Sequence, residues 1–342
     1  MDRVARCDVD LSDTAGQAPV FVTGGSGFVG GAVVDHLVAA GVEVRALARS
    51  DAASRSVFEY GAIPVPGALS DRVALAAAMS GCALVFHVAG VNTMCPAEPG
   101  VMYRTNVDDV RTVVLAAADA GVRRVVLTSS AATIGERHGV VADEWTPHSG
   151  LFLSHYARSK YLGERAFFEA TADLGIEGVA VNPSSVQGPG RAGGSALLLR
   201  HALNSSRLVA VDTSLSIVDV DDCARAHLLC AVRGSAGSRY LINGASITVG
   251  EAAALLSEIA GRLIRPVMLP RAITTLATPL VAAAGLVAGD RPICVEMLRT
   301  LLHGHRFDAA RSVEELSMSY SPIAETFLRT VEWLAQEGLV RR

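Results

Sequence analysis

Two side chains at helical spacing suggest acid–base chemistry in the segment Tyr156-Ala157-Arg158-Ser159-Lys160. Residues four apart lie on the same face of a helix, so the Tyr156 phenol and the Lys160 ammonium would be neighbours. A nearby cation lowers the pKa of a tyrosine from about 10 towards the working pH, where the hydroxyl can give or take a proton. The same spacing is common on solvated helix faces, so this interpretation needs support from other parts of the chain.

A second group of polar residues follows a predicted strand over Arg124 to Thr128. The next five residues are Ser129-Ser130-Ala131-Ala132-Thr133, which places hydroxyls at the carboxyl end of a strand, where open α/β sheets bind ligands. We predict that Ser130, with Thr133 as the alternative, holds a substrate carbonyl oxygen against the tyrosine. A serine that merely caps a turn is the competing interpretation.

A glycine-rich run, Thr23-Gly24-Gly25-Ser26-Gly27-Phe28-Val29-Gly30, connects a predicted strand to a predicted helix. Glycines let the backbone approach a pyrophosphate, and the free N–H groups and dipole of the following helix stabilise its charge. The run therefore predicts a dinucleotide site. Its predicted cofactor-binding residues are Gly24, Ser26, Gly27, Phe28, Val29 and Gly30.

The elements that must position these groups alternate between short apolar strands and helical patterns. Strands are predicted near Val20 to Thr23, Glu43 to Ala48, Ile63 to Pro64, Leu84 to Val88, Arg124 to Thr128, Gly178 to Val181 and Tyr240 to Ile242. Helices are predicted near 29–40, 72–79, 101–120, 155–174 and 196–204, several of them ending at Gly41, Gly81, Gly121 or Gly175. This order predicts an α/β fold: a Rossmann-type doubly wound parallel sheet with a smaller, mostly helical C-terminal substrate lobe.

The predicted boundaries are a flexible tail over 1–18, a dinucleotide-binding domain over 19–185 and a substrate lobe over 186–342. No linker separates the last two, so we expect the lobe to interleave with the final elements of the sheet. Half of the 342 residues are apolar, 19% are charged and the formal net charge is −4. This composition indicates a folded globular protein and argues against nucleic acid as a partner.

Metal binding and secretion are not indicated. The six cysteines form no CxxC pair, and His87, His138, His148 and His155 share no close spacing with another ligand type, so we predict reduced thiols and no metal. The first seventeen residues lack the apolar stretch of a secretion signal, which favours a cytoplasmic location. Residues 272–289 carry no charge, but this Ala-rich segment contains Pro279 and suggests buried helices, with peripheral membrane contact as the alternative.

Several motifs together resemble those of extended short-chain dehydrogenases/reductases, the epimerase/dehydratase superfamily. They are TGGSGFVG at 23–30, VFHVAG at 85–90, Asn106, TSSAAT at 128–133, YARSK at 156–160 and VNPSSVQGPG at 181–190. Within that superfamily the chain is most similar to dihydroflavonol-reductase-like and 3β-hydroxysteroid-dehydrogenase-like proteins, because VNPSSV at 181–186 replaces the run typical of nucleotide-sugar enzymes.

The resemblance implies that Ser130, Tyr156 and Lys160 are the catalytic triad and that Lys160 also binds the nicotinamide ribose. It further implies that Asn106 supports the lysine. A homodimer paired through alanine-rich helices is also implied. The remaining implied cofactor contacts are Leu69 and Ala89, with Asn182, Pro183 and Ser185 beside the nicotinamide. Ala68 stands where such proteins usually have an aspartate, so the adenine would lose a side-chain hydrogen bond.

The preferred cofactor is predicted from the end of the second strand. Arg49 stands where an acidic residue would accept the ribose hydroxyls of NAD, and its guanidinium can instead bind the 2′-phosphate of NADP(H). Arg45 lies on the same face of the strand and is the alternative. NADP(H) is therefore favoured, with NAD(H) possible.

These features predict an NADPH-dependent reductase that acts on the ketone or aldehyde of an apolar small molecule, such as a lipid, steroid, polyketide or aromatic ketone. A nucleotide-sugar epimerase or dehydratase with tightly bound NAD remains open, since Arg191 and Arg200 could bind phosphates. A non-enzymatic sensor of the cofactor ratio is the third hypothesis, against which the intact Ser, Tyr and Lys set argues.

Overall fold

A seven-stranded parallel sheet forms the centre of the protein in the computed structural model, which describes residues 9–16, 18–205, 207–269 and 294–340. Its strands are β1 (Val20–Thr23), β2 (Val44–Ala48), β3 (Ile63–Pro66), β4 (Leu84–His87), β5 (Arg124–Thr128), β7 (Glu177–Pro183) and β11 (Arg239–Ile242). Their spatial order is β11-β7-β5-β4-β1-β2-β3, and all neighbours run parallel. The chain changes direction between β1 and β4, where such sheets open a ligand-binding crevice. The predicted fold class is confirmed.

Helices cover both faces of this sheet. They are α2 (Phe28–Ala39), α3 (Asp51–Glu59), α4 (Arg72–Met79), α5 (Pro99–Tyr103), α6 (Asp109–Asp119), α7 (His155–Leu174) and α9 (Val220–Arg233). On one face α2 packs against α9, and Leu37 and Leu228 belong to the same buried cluster. On the other face α4, α6 and α7 bury Leu75, Val113 and Phe167. Burying one such side chain contributes about 1.5–3 kcal/mol, so the two apolar layers hold the strand ends in place.

The helix ends follow the glycine pattern of the sequence. Gly41, Gly81, Gly121 and Gly175 adopt φ values of 78°, 74°, 71° and 66°, in the left-handed region where a side chain is unfavourable. Each of these predicted helix exits is confirmed.

The predicted helix over 101–120 is interrupted by a π-helical turn, Arg104–Asp108, between α5 and α6. A Cβ atom at Gly163 on α7 would lie 1.9 Å from the carbonyl oxygen of Asn106, so the two helices approach with no space for a side chain. The π turn places the buried Asn106 side chain towards α7, consistent with the frequent use of such turns at functional sites.

The helix α3 was not predicted. Only Val57 is buried among its residues, and its short sequence contains few apolar side chains. The local signal that remains is its first turn, where the Ser50 hydroxyl accepts a hydrogen bond from the Ala53 N–H.

The C-terminal lobe contains small sheets as well as helices. The strands outside the main sheet, in this lobe and in the segments that pair with it, are β6 (Val141–Ala142), β8 (Ser185–Gln187), β9 (Arg207–Val211), β10 (Ser214–Asp219), β12 (Ala245–Thr248), β13 (Arg265–Leu269) and β14 (Arg306–Phe307). The helices of the lobe are α8 (Ala196–Asn204), α10 (Val249–Ile259), α11 (Val295–His303), α12 (Ala310–Leu316) and α13 (Ile323–Gln336). The strand β11 follows β8–β10 in the chain but pairs with β7 at the edge of the main sheet.

Part of the segment predicted as a flexible tail is ordered. Residues Ser12–Ala15 form a short helix, α1, and Val9 and Leu11 are only 7% and 3% exposed within the main core. The tail prediction is wrong for these residues because two apolar side chains find a place in the core. Residues 1–8, with Cys7, and the uncharged segment 272–289 lie outside the described residues. Among the residues that are described, no helix has the length and apolar character needed to cross a bilayer.

Candidate active site

The glycine-rich loop between β1 and α2 forms a cradle for a phosphate group. A Cβ atom at Gly30 would lie 2.0 Å from the Gly24 carbonyl oxygen, and one at Gly24 would lie 2.6 Å from the Ala89 nitrogen. The helix begins after Gly27, which provides no side-chain cap, and its first turn contains no acidic residue. Its first N–H groups are therefore available to an anion, so the loop fits a dinucleotide pyrophosphate.

This loop opens into a cavity of about 1700 Å³ that extends to the C-terminal lobe. Most predicted cofactor residues line it, at strand ends, in the glycine loop and the first turn of α2, in neighbouring turns and, for Lys160, on α7. They are Gly24, Ser26, Gly27, Phe28, Val29, Gly30, Arg49, Leu69, Ala89, Lys160, Pro183 and Ser185. The cavity therefore collects residues from the carboxyl ends of β1 to β5 and of β7, as the sheet topology requires.

The two arginines of β2 have different surroundings. Arg49 lines the cavity, whereas Arg45 donates to the carbonyl oxygen of Ser80 at 3.0 Å and to Glu43 at 3.4 Å. Of these two guanidinium groups, only that of Arg49 borders the space available to the nucleotide.

Asn182 does not line the cavity, unlike the prediction made from its motif. It is fully buried, and its amide nitrogen donates to Glu164 at 2.6 Å, to Thr133 at 2.9 Å and to the Ser130 carbonyl oxygen at 3.2 Å. The side chain is held behind the cavity because strand residues alternate between faces, and only Pro183 and the following residues reach the opening.

The three predicted catalytic side chains meet at one place in the cavity wall. The helix α7 begins at His155, where the Ser154 hydroxyl accepts from the Ala157 N–H at 3.0 Å, and it places Tyr156 one turn before Lys160. Ser130 follows β5 and caps a short 3₁₀ turn, and its side chain lies close enough to Tyr156 to act on the pKa of that tyrosine. The geometry is that of a positioned proton donor beside a second hydroxyl.

The pKa of Tyr156 is raised, contrary to the predicted lowering by Lys160. Burial raises it most strongly, while the Ser130 side chain and the charge of Arg191 act in the opposite direction. The Lys160 ammonium instead donates to the carbonyl oxygen of Thr128 at 2.6 Å. The tyrosine is therefore held in its protonated form, which suits a group that gives a proton to a developing alkoxide.

Lys160 is itself strongly affected by burial. Burial lowers its pKa to about 8, and the nearby Glu164 carboxylate opposes that change. Two neighbouring histidines are neutral, because burial lowers the pKa of His87 to about 3 and that of His227 to about 4. Their imidazoles bond to Thr23 and Thr128, each at 2.7 Å, so His87 on β4 and His227 on α9 are structural groups that contact sheet residues.

A buried polar network behind these residues was missed in the sequence. Glu164 lies one turn after Lys160 and accepts hydrogen bonds from Ser129 at 2.5 Å and from Asn182 at 2.6 Å. It also pairs with Arg239 at 3.2 Å. The four-residue step from Lys160 to Glu164 was the available signal, since it continues the same helix face.

Asn106, from the π-helical turn, fixes a loop of the cavity wall. Its amide accepts from the Val91 N–H at 2.8 Å and donates to the Val91 carbonyl and to Ser159, each at 2.9 Å. It therefore acts on the lysine's helix through Ser159 and the backbone.

Cys95 and Cys294, close in sequence to Met94 and Met297 of the cavity wall, form a disulfide, so the prediction of reduced thiols is wrong for this pair. The two residues are separated by 199 positions, and no sequence spacing indicates that the fold brings them together. Beside them, the Glu296 carboxylate accepts from the Cys95 N–H at 2.6 Å and from the His155 N–H at 2.7 Å. Glu296 thus connects α11 to the beginning of the helix that carries Tyr156.

Comparisons with known proteins agree with this arrangement. The sequence profile of the NAD dependent epimerase/dehydratase family matches residues 20–243. A Synechocystis protein named dihydroflavonol 4-reductase is 32% identical over 334 residues, covering 94% of this chain and 96% of that protein. The Stigmatella aurantiaca 4-hydroxy-2-methyl-3-oxo-4-farnesyl-3,4-dihydroquinoline-1-oxide ketoreductase is 34% identical over 248 residues, covering 70% of this chain and 73% of that protein. The crystal structure of gox2253 superposes with a TM-score of 0.83 at 31% identity, covering 95% of this chain and 100% of that chain.

The parallel sheet, the phosphate cradle and the matching relatives define an NAD(P)-dependent oxidoreductase of the extended short-chain dehydrogenase/reductase class. The chain belongs to the NAD dependent epimerase/dehydratase family.

Proposed function

We propose that this enzyme uses NADPH to reduce a ketone or aldehyde on an apolar small molecule of the lipid, steroid, polyketide or aromatic ketone class. The observation that carries the proposal is the apolar wall that shares one cavity with Tyr156. That wall includes Met94, Leu153, Leu197, Met297, Leu301 and Phe327. Such a lining favours a ligand that buries apolar surface and is oriented by a few polar groups.

The polar groups of the site can carry out the reaction as follows. When bound, the reduced nicotinamide supplies a hydride to the carbonyl carbon. Ser130 donates a hydrogen bond to the carbonyl oxygen, and Tyr156 transfers its proton to that oxygen as the alkoxide develops. The charge of Arg191 stabilises the resulting phenolate until a proton is taken up from solvent. The carbonyl is thereby reduced to an alcohol and the cofactor is oxidised.

The relatives support this class of reaction. Two of them are named as a dihydroflavonol 4-reductase and as the ketoreductase of a farnesylated quinoline oxide. These names describe those proteins, and for this chain they favour an apolar ketone over a charged sugar nucleotide.

The direct test is NADPH oxidation with a panel containing a steroid ketone, an aromatic ketone and a long-chain ketone. We expect turnover of at least one, reduced about 10²- to 10⁴-fold by Tyr156→Phe. Tyr60→Phe is the matched control, since the Tyr60 hydroxyl lies outside the cavity lining. Undiminished turnover by Tyr156→Phe would refute the mechanism.

The choice of NADPH rests on Arg49. Arg49→Ala should weaken NADPH binding by about 10- to 100-fold, the loss of a charge-assisted phosphate contact, and leave NADH binding unchanged. Arg45→Ala is the control, because that side chain bonds to Ser80 and Glu43 instead. Equal affinity of the wild type for both cofactors would contradict the preference.

A nucleotide-sugar epimerase or dehydratase is the second candidate, and Arg191 is the observation that favours it. Arg191 lines the cavity, and its charge acts on Tyr156, so it can hold a diphosphate close to the reacting group. NAD retained through purification, together with turnover of a sugar nucleotide, would support this function over the reductase. Cofactor binding with no turnover of either class would favour a sensor.

A further inference from the structure

We propose that Glu136, His303 and His305 form a binding site for a divalent transition-metal ion, with Zn²⁺ or Co²⁺ as the suitable ions. Each residue offers one ligand atom, and these three atoms lie within 4.8 Å of one another. Within the described residues this is the group with the spacing of a metal site. The sequence analysis did not predict this site, because Glu136 is far from the two histidines along the chain.

The ligand atoms are close to a coordinating arrangement. The Glu136 Oε1 atom lies 2.6 Å from His305 Nδ1 and 3.5 Å from His303 Nε2. Ligands of a tetrahedral Zn²⁺ stand about 2.1 Å from the ion, which separates them by about 3.4 Å. Rotations of the side chains that move these atoms by about 1 Å therefore suffice. A metal ion bound at His305 Nδ1 takes the place of the proton in the His305–Glu136 hydrogen bond.

The backbone around the histidines is held from several sides. His305 donates its N–H to the Ser214 carbonyl at 3.2 Å, and its own carbonyl accepts from the Ser216 hydroxyl at 2.9 Å. Next to it, β14 pairs with β6. Ligands fixed in this way lose little freedom on binding a metal, which favours affinity.

Charge and access also favour an ion at this place. Glu136 is only 4% exposed, and a buried carboxylate is stable when a positive charge lies beside it. All three residues line the cavity, so an ion can reach them from solvent. Two imidazoles and one carboxylate select Zn²⁺ or Co²⁺ over Mg²⁺ or Ca²⁺, and a set of three protein ligands leaves a position for water or for an oxygen of a bound molecule.

The ion would connect two parts of the chain across the cavity. Glu136 belongs to the segment that follows Ser130, while His303 ends α11 and His305 precedes β14. The site thus fastens the C-terminal end of α11, whose N-terminal end is tied by the disulfide. Binding is expected to raise the Tm as well as to change the surface of the cavity.

The experiment is titration of tag-free, metal-stripped enzyme with Co²⁺ or Zn²⁺ alone, without reductant so that Cys95 and Cys294 stay paired. We expect one ion per chain, visible absorption typical of tetrahedral Co²⁺, and a rise in Tm with Zn²⁺. In Glu136→Gln and His303→Gln the affinity should fall at least about 100-fold, and the rise in Tm should disappear. NADPH binding of each variant confirms that it is folded.

The matched control is His201→Gln, an exposed histidine on α8 outside the cluster, which should bind the ion like the wild type. Binding that survives both ligand variants, several weak ions per chain, or no binding by the wild type would each overturn the proposal.

Discussion

The phosphate loop and the α11 side of the cavity are built in opposite ways. The loop takes its shape from eight consecutive residues, and glycines at Gly24 and Gly30 make the close approach possible. The α11 side depends on distant partners, since Cys95 meets Cys294 across 199 positions and Glu296 meets His155 across 141. A site whose geometry is local leaves a continuous signal in the sequence, whereas a wall assembled by tertiary contacts leaves single residues with no pattern.

The largest expected effect comes from a substitution in the phosphate loop. In Gly30→Ala the new methyl group would lie 2.0 Å from the Gly24 carbonyl oxygen, and the backbone of Gly24 and Gly25 leaves it no space. We expect the free energy of unfolding to fall by about 3 kcal/mol and NADPH binding to be lost. Urea unfolding and a fluorescence titration with NADPH measure both quantities.

The matched control for this substitution is Gly193→Ala, where no atom lies within 4 Å of the added methyl group. It should change neither quantity by more than about 0.5 kcal/mol. A Gly30→Ala protein with wild-type stability and NADPH binding would show that the loop tolerates a side chain at this position. The close approach of Gly30 to Gly24 would then not be the reason for a glycine there.

The next prediction tests whether the disulfide stabilises the α11 side of the cavity. Removing the disulfide in Cys95→Ser/Cys294→Ser should lower the free energy of unfolding by about 2–4 kcal/mol, because the unfolded chain gains freedom. Reductant should lower the Tm of the wild type and leave that of the double variant unchanged. A wild-type Tm that does not respond to reductant would mean that the bond adds nothing to stability.

The sequence predicted the features that depend on short stretches of the chain. The parallel sheet, the glycine exits such as Gly121 and the placement of Tyr156 and Lys160 on one helix follow from short-range patterns. The side-chain direction of Asn182 does not follow from such a pattern, because whether a strand residue faces the cavity or the interior depends on its neighbours. The π turn at Asn106 and the network of Glu164 likewise arise from close packing of helices that are separate in the sequence.

A smaller effect concerns the link between the wall and the catalytic helix. The Glu296 carboxylate accepts two backbone N–H groups, from Cys95 and His155, and Glu296→Gln leaves one oxygen acceptor for both. Losing one of these charge-assisted bonds should cost about 1–2 kcal/mol of stability and lower kcat more than it raises KM. Steady-state kinetics test this effect, with the exposed Glu332→Gln as control. A variant with wild-type kcat would show that α11 does not position Tyr156.

The smallest effect is a pH dependence that originates at Lys160 on α7, the helix that Glu296 connects to the α11 side of the cavity. Lys160 has its pKa lowered by burial from the ordinary 10.5 to about 8, so between these values the unfolded chain binds a proton that the folded protein does not. The Lys160 contribution to stability therefore rises with pH across that window, and raising the pH from 7 to 9 should increase the free energy of unfolding of the cofactor-free enzyme by about 1 kcal/mol relative to Lys160→Met. Burial raises the pKa of the Cys223 and Cys230 thiols, which opposes this rise equally in both proteins. In Lys160→Met this increment should vanish, while His87 and His227 stay neutral over the same range. Urea unfolding at the two pH values measures it. An equal increment in both proteins would mean that another group titrates, and that Lys160 keeps its charge through its bond to the Thr128 carbonyl.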